Sequence, residues 1–509
     1  MIFEKIKKFI KNLGSREIFL ALCFVMIYFF ALCAPTDPDM GWHLMDGKYL
    51  MEHHFQPAKT DIFSYSMPDF PLIMHEWLTD ILMYNLYTHA GLFALSIFFA
   101  FVTTAAFVVA TLGVEGKIEY KFVAALVGII ASQPILGVKA QMFSLLGLAT
   151  VVFVILNFRR NQQSKLIYYL PLLFFIWVNL HGGFPVGLFF IGVFLALEYF
   201  KNGLLAVFLK FKKWNFFEKA SGWLQKNSLS LKSALKLNLL FILSCVATLV
   251  NPYGWRIYIE IVTTIFDKYA KSFIAEWFPV SAMNPTSSQF ILYIFFLAVL
   301  LIISFRKSDF TYVAVAAVFL YLSFSSWRHL PLFMIVSIPL WVLIVEFLAG
   351  KELSVVLNKK WFLACFLVAT IVIPYQRMKL VPADYSIERI AEKGNYPAEA
   401  VKFLKANPKP GNIFNEYNWG GYLIWQYPEK KLYIDGRMPS WRHKGFSVLE
   451  EFNNTFKSGE GLVATIEKYG ITQALVYNNV PNQMSFRSLK WELAYEDSLA
   501  LVFSRPEEK

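Results

Sequence analysis

"PTDPDMGWHLMDGKYLMEHHFQPAKTDIFSYS" (residues 35–66) follows directly on the apolar run "IFLALCFVMIYFFALCA" (18–34). The join between the two decides the fold class. A chain that is 57% hydrophobic and 18% aromatic gathers acidic residues and His immediately past its first greasy segment. Windows of roughly 17–23 residues almost free of charge recur along the chain, each long enough to cross a bilayer core of roughly 30 Å. This reads as an α-helical, multi-pass membrane protein, not a soluble globular one. The N-terminus is basic and then apolar, but the apolar part is long and has no small-residue cleavage pattern, so a signal anchor is expected.

Eleven spans are expected, near 18–34, 91–113, 121–137, 139–157, 166–182, 184–200, 235–252, 288–305, 310–326, 330–348 and 361–376. The net charge of +12 comes largely from Lys-rich loops between apolar runs. That is the positive-inside pattern, and it removes the nucleic-acid reading that a basic chain invites. "EKIKKFIKNLGSR", "FRRNQQSK", the 201–236 segment, "FRKSD" and "GKELSVVLNKK" all fall on one side if the N-terminus is cytoplasmic. The other side then receives the 35–66 stretch, "SQPILGVKAQ" (132–141), "NLHGGF" (179–184), "NPYGW" (251–255), "SSWRH" (325–329) and everything after 376. The chemistry is thereby segregated to the outer face. The four Cys lie in or beside apolar segments and suggest no disulfide framework or metal site.

In the first outer loop, taken as 35–90, Pro35 and Pro38 block helix and Asp39 suits the N-cap of a helix beginning just after it. A helix to about His54 places Asp39, His43, Asp46 and His53 on one face, beside an apolar stripe of Met40, Leu44 and Met51. Such a helix is expected to lie along the membrane surface. A turn-rich loop carrying Asp61 comes next, then a second amphipathic helix headed by His75, Glu76 and Trp77. Three readings compete for the acidic cluster. It could be a solvated helix with a capping Asp, a cation site built from Asp39, His43 and Asp46, or a catalytic carboxylate at the mouth of a membrane cavity.

An acidic motif opening an amphipathic helix in a long first outer loop, then further spans, then an outer C-terminal domain, resembles the GT-C superfamily of polytopic glycosyltransferases. "DPDMGWHLMDGKYL…PAKTDIFSYS…HEWL" looks like a bacterial branch of it, related to protein O-mannosyltransferases and aminoarabinose transferases. In that branch the loop reads D-x-D-x-W-W-H-L, so Gly41 here stands where a first Trp is usual, and Ser66 replaces a Thr. "NLHGGF", "NPYG", "WRHLPLF" (327–333) and "FNEYNWGGYLIW…LYIDGR" (414–437) fit the same branch. The resemblance implies a catalytic base at Asp39, with Asp37 in reserve, and donor-phosphate binding by Arg328 and His329. Arg is suited to bidentate phosphate contact, though an interfacial anchor is the plainer role for Arg328. His181, beside two Gly, lines the cavity in this view or is a packing His. His43, Asp46, Asp61, His75, Glu76, Asp435 and Arg437 are the remaining cavity or acceptor candidates.

Residues 1–376 form the expected transmembrane domain, and 377–509 an outer soluble α/β domain. Within the latter, "GNIFN", "KLYID" and "ITQALVY" read as strands and "WELAYEDSLALVFSR" as a terminal hairpin. "YIDGRMPSW" is its most pointed stretch, with Asp435 and Arg437 either a structural pair or a contact to acceptor or phosphate.

The leading expectation is an inverting glycosyltransferase of the bacterial cytoplasmic membrane, using a polyprenyl-phosphate-linked sugar donor. Its acceptor would be a cell-envelope glycan, lipid or protein hydroxyl on the outer face. No cofactor or metal is expected, and the partners are membrane lipids, donor and acceptor rather than nucleic acid. The alternative is a lipid-linked glycan flippase or exporter. Against it stand the one-sided polar clusters and the lack of midplane polar groups or repeats. A non-catalytic relative serving as a scaffold is a third reading.

Overall fold

The computed structural model describes residues 14–211, 213, 215–279, 294, 298, 310–349, 359–383, 385–457 and 459–506. The expected span at 288–305 falls, apart from single residues, outside that set. The chain divides into two compact units, one of residues 1–33, 97–251 and 276–381, the other of residues 34–96, 252–275 and 382–509.

The first unit is helical. Helices Ser15–Ala31, Ile118–Ser132, Gln141–Arg160, Leu170–Leu180, Pro185–Lys210, Leu231–Ala247, Phe310–Ser325, Leu330–Ala349 and Lys360–Leu380 stand at expected spans. Trp77–Leu112, which runs through both units, covers another. Their ends follow local rules. Pro185 opens one helix, where its missing N–H costs nothing. The Ser230 hydroxyl caps the Leu231–Ala247 helix by accepting from the Ser233 N–H. Among the described residues, four helices are long and apolar enough to cross a membrane, or five if the bent pair Asn215–Lys226 and Leu231–Ala247 is one span. Several others, such as Ile118–Ser132 with 15 residues, are shorter than a full crossing requires.

Large apolar side chains such as Phe101, Leu172, Leu239, Val368 and Ile371 are exposed on this unit. Such a surface suits lipid, where helix association rests on close packing and polar contacts rather than on hydrophobic burial. Gly147 and Gly187 supply the close packing, because a Cβ on either would lie 2.5 or 2.6 Å from the Trp177 ring. The polar contact is Glu198, wholly buried. Its carboxylate accepts from Arg159, from the Thr311 hydroxyl at 3.0 Å and from the Leu229 N–H at 2.6 Å, and pairs with Lys201 at 2.7 Å.

The second unit carries a four-stranded sheet: β1 (Asn412–Asn415), β2 (Ile471–Tyr477), β3 (Glu492–Glu496) and β4 (Ala500–Ser504). The order is β1-β2-β4-β3, with β1 parallel to β2 and the other pairs antiparallel. "GNIFN", "ITQALVY" and the terminal hairpin therefore form as expected. "KLYID" does not become a sheet strand. Its Leu432 makes one isolated bridge, to Ser64 of the first loop, with hydrogen bonds Tyr65 N–H to Leu432 O and Leu432 N–H to Phe63 O. Its partner is thus a single turn of another segment, and Gly436 ends it in a turn. The loop and the C-terminal segment share one core, in which Met67, Phe70, Leu72 and Met74 pack with Phe414, Tyr433, Trp441, Phe486 and Phe503.

Candidate active site

The first loop helix forms at Met40–Glu52. Asp39 stands at its N-cap position, but its side chain does not cap. The reason is local: Asp39 has helical backbone angles (φ −85°, ψ −15°), and its Oδ1 accepts the Trp42 indole N–H at 3.0 Å. The turn before the helix is held instead by Asp37, whose Oδ1 accepts the Asp39 N–H at 3.0 Å. The Asp39 carboxylate, half-buried, also lies against Gly436, where a Cβ would come within 2.4 Å of Oδ1.

The helix is not a simple surface amphipath, because its His43 and Asp46 face is buried. His53, expected on that face, is exposed and stacks on Tyr49. The opposite approach is equally tight. A Cβ on Gly41 would sit 2.0 Å from the carbonyl oxygen of Gly421, and one on Gly421 would sit 2.1 Å from that of Pro38. The Gly that stands where Trp is usual is therefore a backbone-to-backbone contact with the Gly420–Gln426 helix.

Around His43 lies a buried ionic cluster. His43 Nδ1 meets Asp80 Oδ1 at 2.5 Å, and Nε2 faces Glu76 at 3.4 Å. Burial disfavours the imidazolium, yet Asp80 above all, with Glu76 and Asp39, raises the His43 pKa to about 9. Its ring packs on Trp42 with centroids 3.7 Å apart. Asp46, three residues on, is 2% exposed, and its Oδ1 has no hydrogen-bond partner. Burial pushes its carboxyl well above the usual range, against the pull of Arg437.

Arg437 is buried and bound on two sides. It donates from Nε and Nη2 to both oxygens of Asp435, at 2.9 and 2.7 Å, and pairs with Asp61 at 2.9 Å. Asp61 in turn accepts the Ser64 N–H at 2.8 Å. These contacts tie the first loop to the 432–437 stretch. The same cluster takes in His75, whose Nε2 lies 3.7 Å from Glu76.

In the helical unit, Arg328 lies over the Trp277 ring at 5.2 Å, and the His329 Nδ1 bonds to the Leu322 carbonyl at 3.0 Å. Glu276 pairs with Lys139 at 2.5 Å. Burial acts against the Glu276 charge, but Lys139 and Arg328 hold its carboxyl below the usual range. His181 is buried, its Nδ1 bonded by the Ser144 hydroxyl at 2.6 Å and the Gly183 N–H at 2.8 Å, which leaves its ring proton on Nε2.

The residues that sequence reasoning missed are Trp42, Asp80, Gly436, Lys139 and Glu276. Trp42 and Gly436 lie inside the motifs, and the Gly after Asp435 was the available signal for close approach. The cation reading of Asp39, His43 and Asp46 does not fit the geometry, because both His43 nitrogens are turned to carboxylates. Among the described residues, no three His, Cys, Asp or Glu side chains converge as a metal-ligand set.

The combination of this helical unit with a first loop packed into a small α/β core also occurs in solved structures. The chain is similar to crystal structures of the oligosaccharyltransferase of Archaeoglobus fulgidus. For the apo form the TM-score is 0.50 at 10% identity, over 92% of this chain and 70% of that one. For the form tethered by a disulfide bond to an acceptor peptide containing the NVT sequon, the TM-score is 0.53 at 11% identity, over 91% and 69%. Identity this low shows shared fold. No protein-family model and no curated protein sequence matches the chain.

Proposed function

We propose that this protein is an inverting glycosyltransferase of the bacterial cytoplasmic membrane, moving a sugar from a polyprenyl phosphate to an acceptor hydroxyl on the outer face. Eleven spans, a cytoplasmic N-terminus and an outer 377–509 domain belong to the same reading, as does a cell-envelope acceptor. The observation that carries it is the Asp39 carboxylate. It comes just after the first apolar helix, is not engaged in capping, and is aimed by the Trp42 indole. The GT-C fold supports the reaction class and lends nothing to a flippase or exporter.

In the reaction, Asp39 takes the acceptor hydroxyl proton as the oxygen attacks the anomeric carbon. The bond from that carbon to the phosphate oxygen breaks, and its electrons leave with the polyprenyl phosphate. Arg328 and His329 meet the growing negative charge, with Lys139 beside Arg328 through their shared neighbour Glu276. His43, Asp46, Asp61, Asp435 and Arg437 act at one remove, by fixing the loop that presents Asp39. No divalent metal is invoked.

Asp39→Asn tests this. Transfer of labelled sugar from a polyprenyl-phosphate donor should fall at least about a hundredfold, at matched protein levels and unchanged donor binding. Asp37→Asn should cost less, because Asp37 lies before the helix and holds the turn that leads into it. Near-normal transfer by Asp39→Asn would sink the assignment, and a collapse confined to Asp37→Asn would move the base two residues upstream.

A further inference from the structure

The second unit contains a cavity of about 320 Å³ at the end of β2, away from the ionic cluster. It lies at the lower end of the roughly 300–1,000 Å³ usual for small-molecule sites. Its wall comes from three elements. Glu416 follows β1. Asn453 and Phe456 come from the Val448–Thr455 helix and its C-cap. Tyr477, Asn482 and Ser485 come from the end of β2 and the Val480–Ser488 helix.

Three features narrow the ligand. No Lys, Arg or His lines the cavity, so it does not suit a phosphate or a carboxylate. The polar lining residues carry amides (Asn453, Asn479, Asn482), hydroxyls (Tyr477, Ser485) and one carboxyl (Glu416). The side-chain NH₂ of Asn453 is buried with no hydrogen-bond partner, and leaving such a donor unsatisfied costs about 1–3 kcal/mol. Glu416 Oε1 receives the Tyr477 N–H and the Asn482 amide, each at a long 3.3 Å. Burial raises the Glu416 carboxyl above its usual range despite those bonds, which fits a neutral partner better than a cation. Beside these groups Phe456 is 37% exposed, its ring edge-on to Phe414 and Phe486.

An aromatic face next to amide and carboxyl groups that can bridge neighbouring hydroxyls is the chemistry that recognises a pyranose: the ring takes the C–H face, and the amides and carboxyl take the hydroxyl edge. We infer that this cavity is a saccharide-binding site, holding a neutral sugar unit of the glycan acceptor. The saccharide binding stands on the cavity alone, while its assignment to the acceptor rests on the transferase reading. Glu416 begins the stretch that places Gly420 against Asp435 and Gly421 against Pro38. The cavity and the Asp39 loop are thus fixed by one short segment.

The test uses the full chain in a detergent without a sugar headgroup, because a maltoside would compete. Disaccharides of glucose, galactose, mannose and N-acetylglucosamine are the probes, read by saturation-transfer-difference NMR with titration. At least one should bind saturably. Asn453→Ala and Ser485→Ala should weaken it about fivefold or more, the value of one lost hydrogen bond. Both should melt like the parent protein, since neither side chain donates a hydrogen bond within the fold. Asp39→Asn should bind the same disaccharide unchanged, which separates this site from the proposed base. The inference is overturned if no disaccharide saturates, if both cavity variants bind like the parent, or if short unglycosylated peptides bind there and sugars do not. Binding that is lost in the cavity variants while transfer to every acceptor continues unaffected would overturn the acceptor assignment alone.

Discussion

Two buried charge clusters differ in how completely they are satisfied. In the helical unit, Glu198 is wholly buried, and its two oxygens are shared among Arg159, Lys201, Thr311 and the Leu229 N–H. In the α/β unit, Asp46 Oδ1, Asp80 Oδ2, His75 Nδ1 and Arg437 Nη1 are all buried with no hydrogen-bond partner. A saturated cluster acts as a clamp, since nothing in it is left to do. Unsatisfied buried groups cost stability, and that cost persists where the surroundings over-determine the arrangement. The difference is one of hydrogen-bond satisfaction: the Glu198 cluster is closed, and the cluster around Asp46 and Asp80 is not.

The comparison can be broken at four points. Glu198→Gln should cost the most, about 3–5 kcal/mol, because it leaves the buried Lys201 and the half-buried Arg159 without their counter-charge. A thermal melt of purified protein checks it, and a loss below about 1 kcal/mol would remove the clamp. Next is Gly436→Ala, whose methyl would collide with the Asp39 carboxylate. Turnover should fall on the order of a hundredfold with little change in melting, the usual result of misplacing a reacting group by about an ångström.

Asp46→Asn should be nearly neutral for stability, within about 1 kcal/mol, because the carboxylate it replaces is buried and penalised. Its effect should appear in transfer rate instead. Equal losses for Asp46→Asn and Glu198→Gln would erase the distinction between the clusters. The fourth point is the pH response of His43. Its folded pKa of about 9 lies above the ordinary value of 6.5, so its contribution is fully present below about pH 6.5 and is lost as pH rises through 9. The melting temperature should therefore fall between pH 7.5 and 9.5, and His43→Gln should flatten that slope.

The parts of this design that were legible in sequence share a short range. Apolar runs placed helices at ten of the eleven expected spans, and the break at Gly91 (φ 77°) falls where the first loop was expected to give way to a span. The terminal hairpin lies within residues 491–505, its first strand alternating and its second buried throughout. What was not legible depends on distant partners. Asp80 carries no local signal within the second loop helix, and its partner His43 lies 37 positions earlier. Asp39 read as a cap because Pro38 and the helix after it predict one, and only the Trp42 indole shows the carboxylate turned elsewhere. "KLYID" carried the right pattern for a strand, but its bridge is to Ser64, which no local periodicity could name.

The Gly41–Gly421 contact has a consequence in time. Position 421 is 380 residues beyond position 41, and its carbonyl is the group against which Gly41 rests. At roughly 5–20 residues per second of synthesis, about 20 to 75 seconds pass between the two entering the world. For that interval the loop bearing Asp39 waits without the backbone that shapes it. The Met40–Glu52 helix therefore reaches its packed arrangement only after residue 421 has been made.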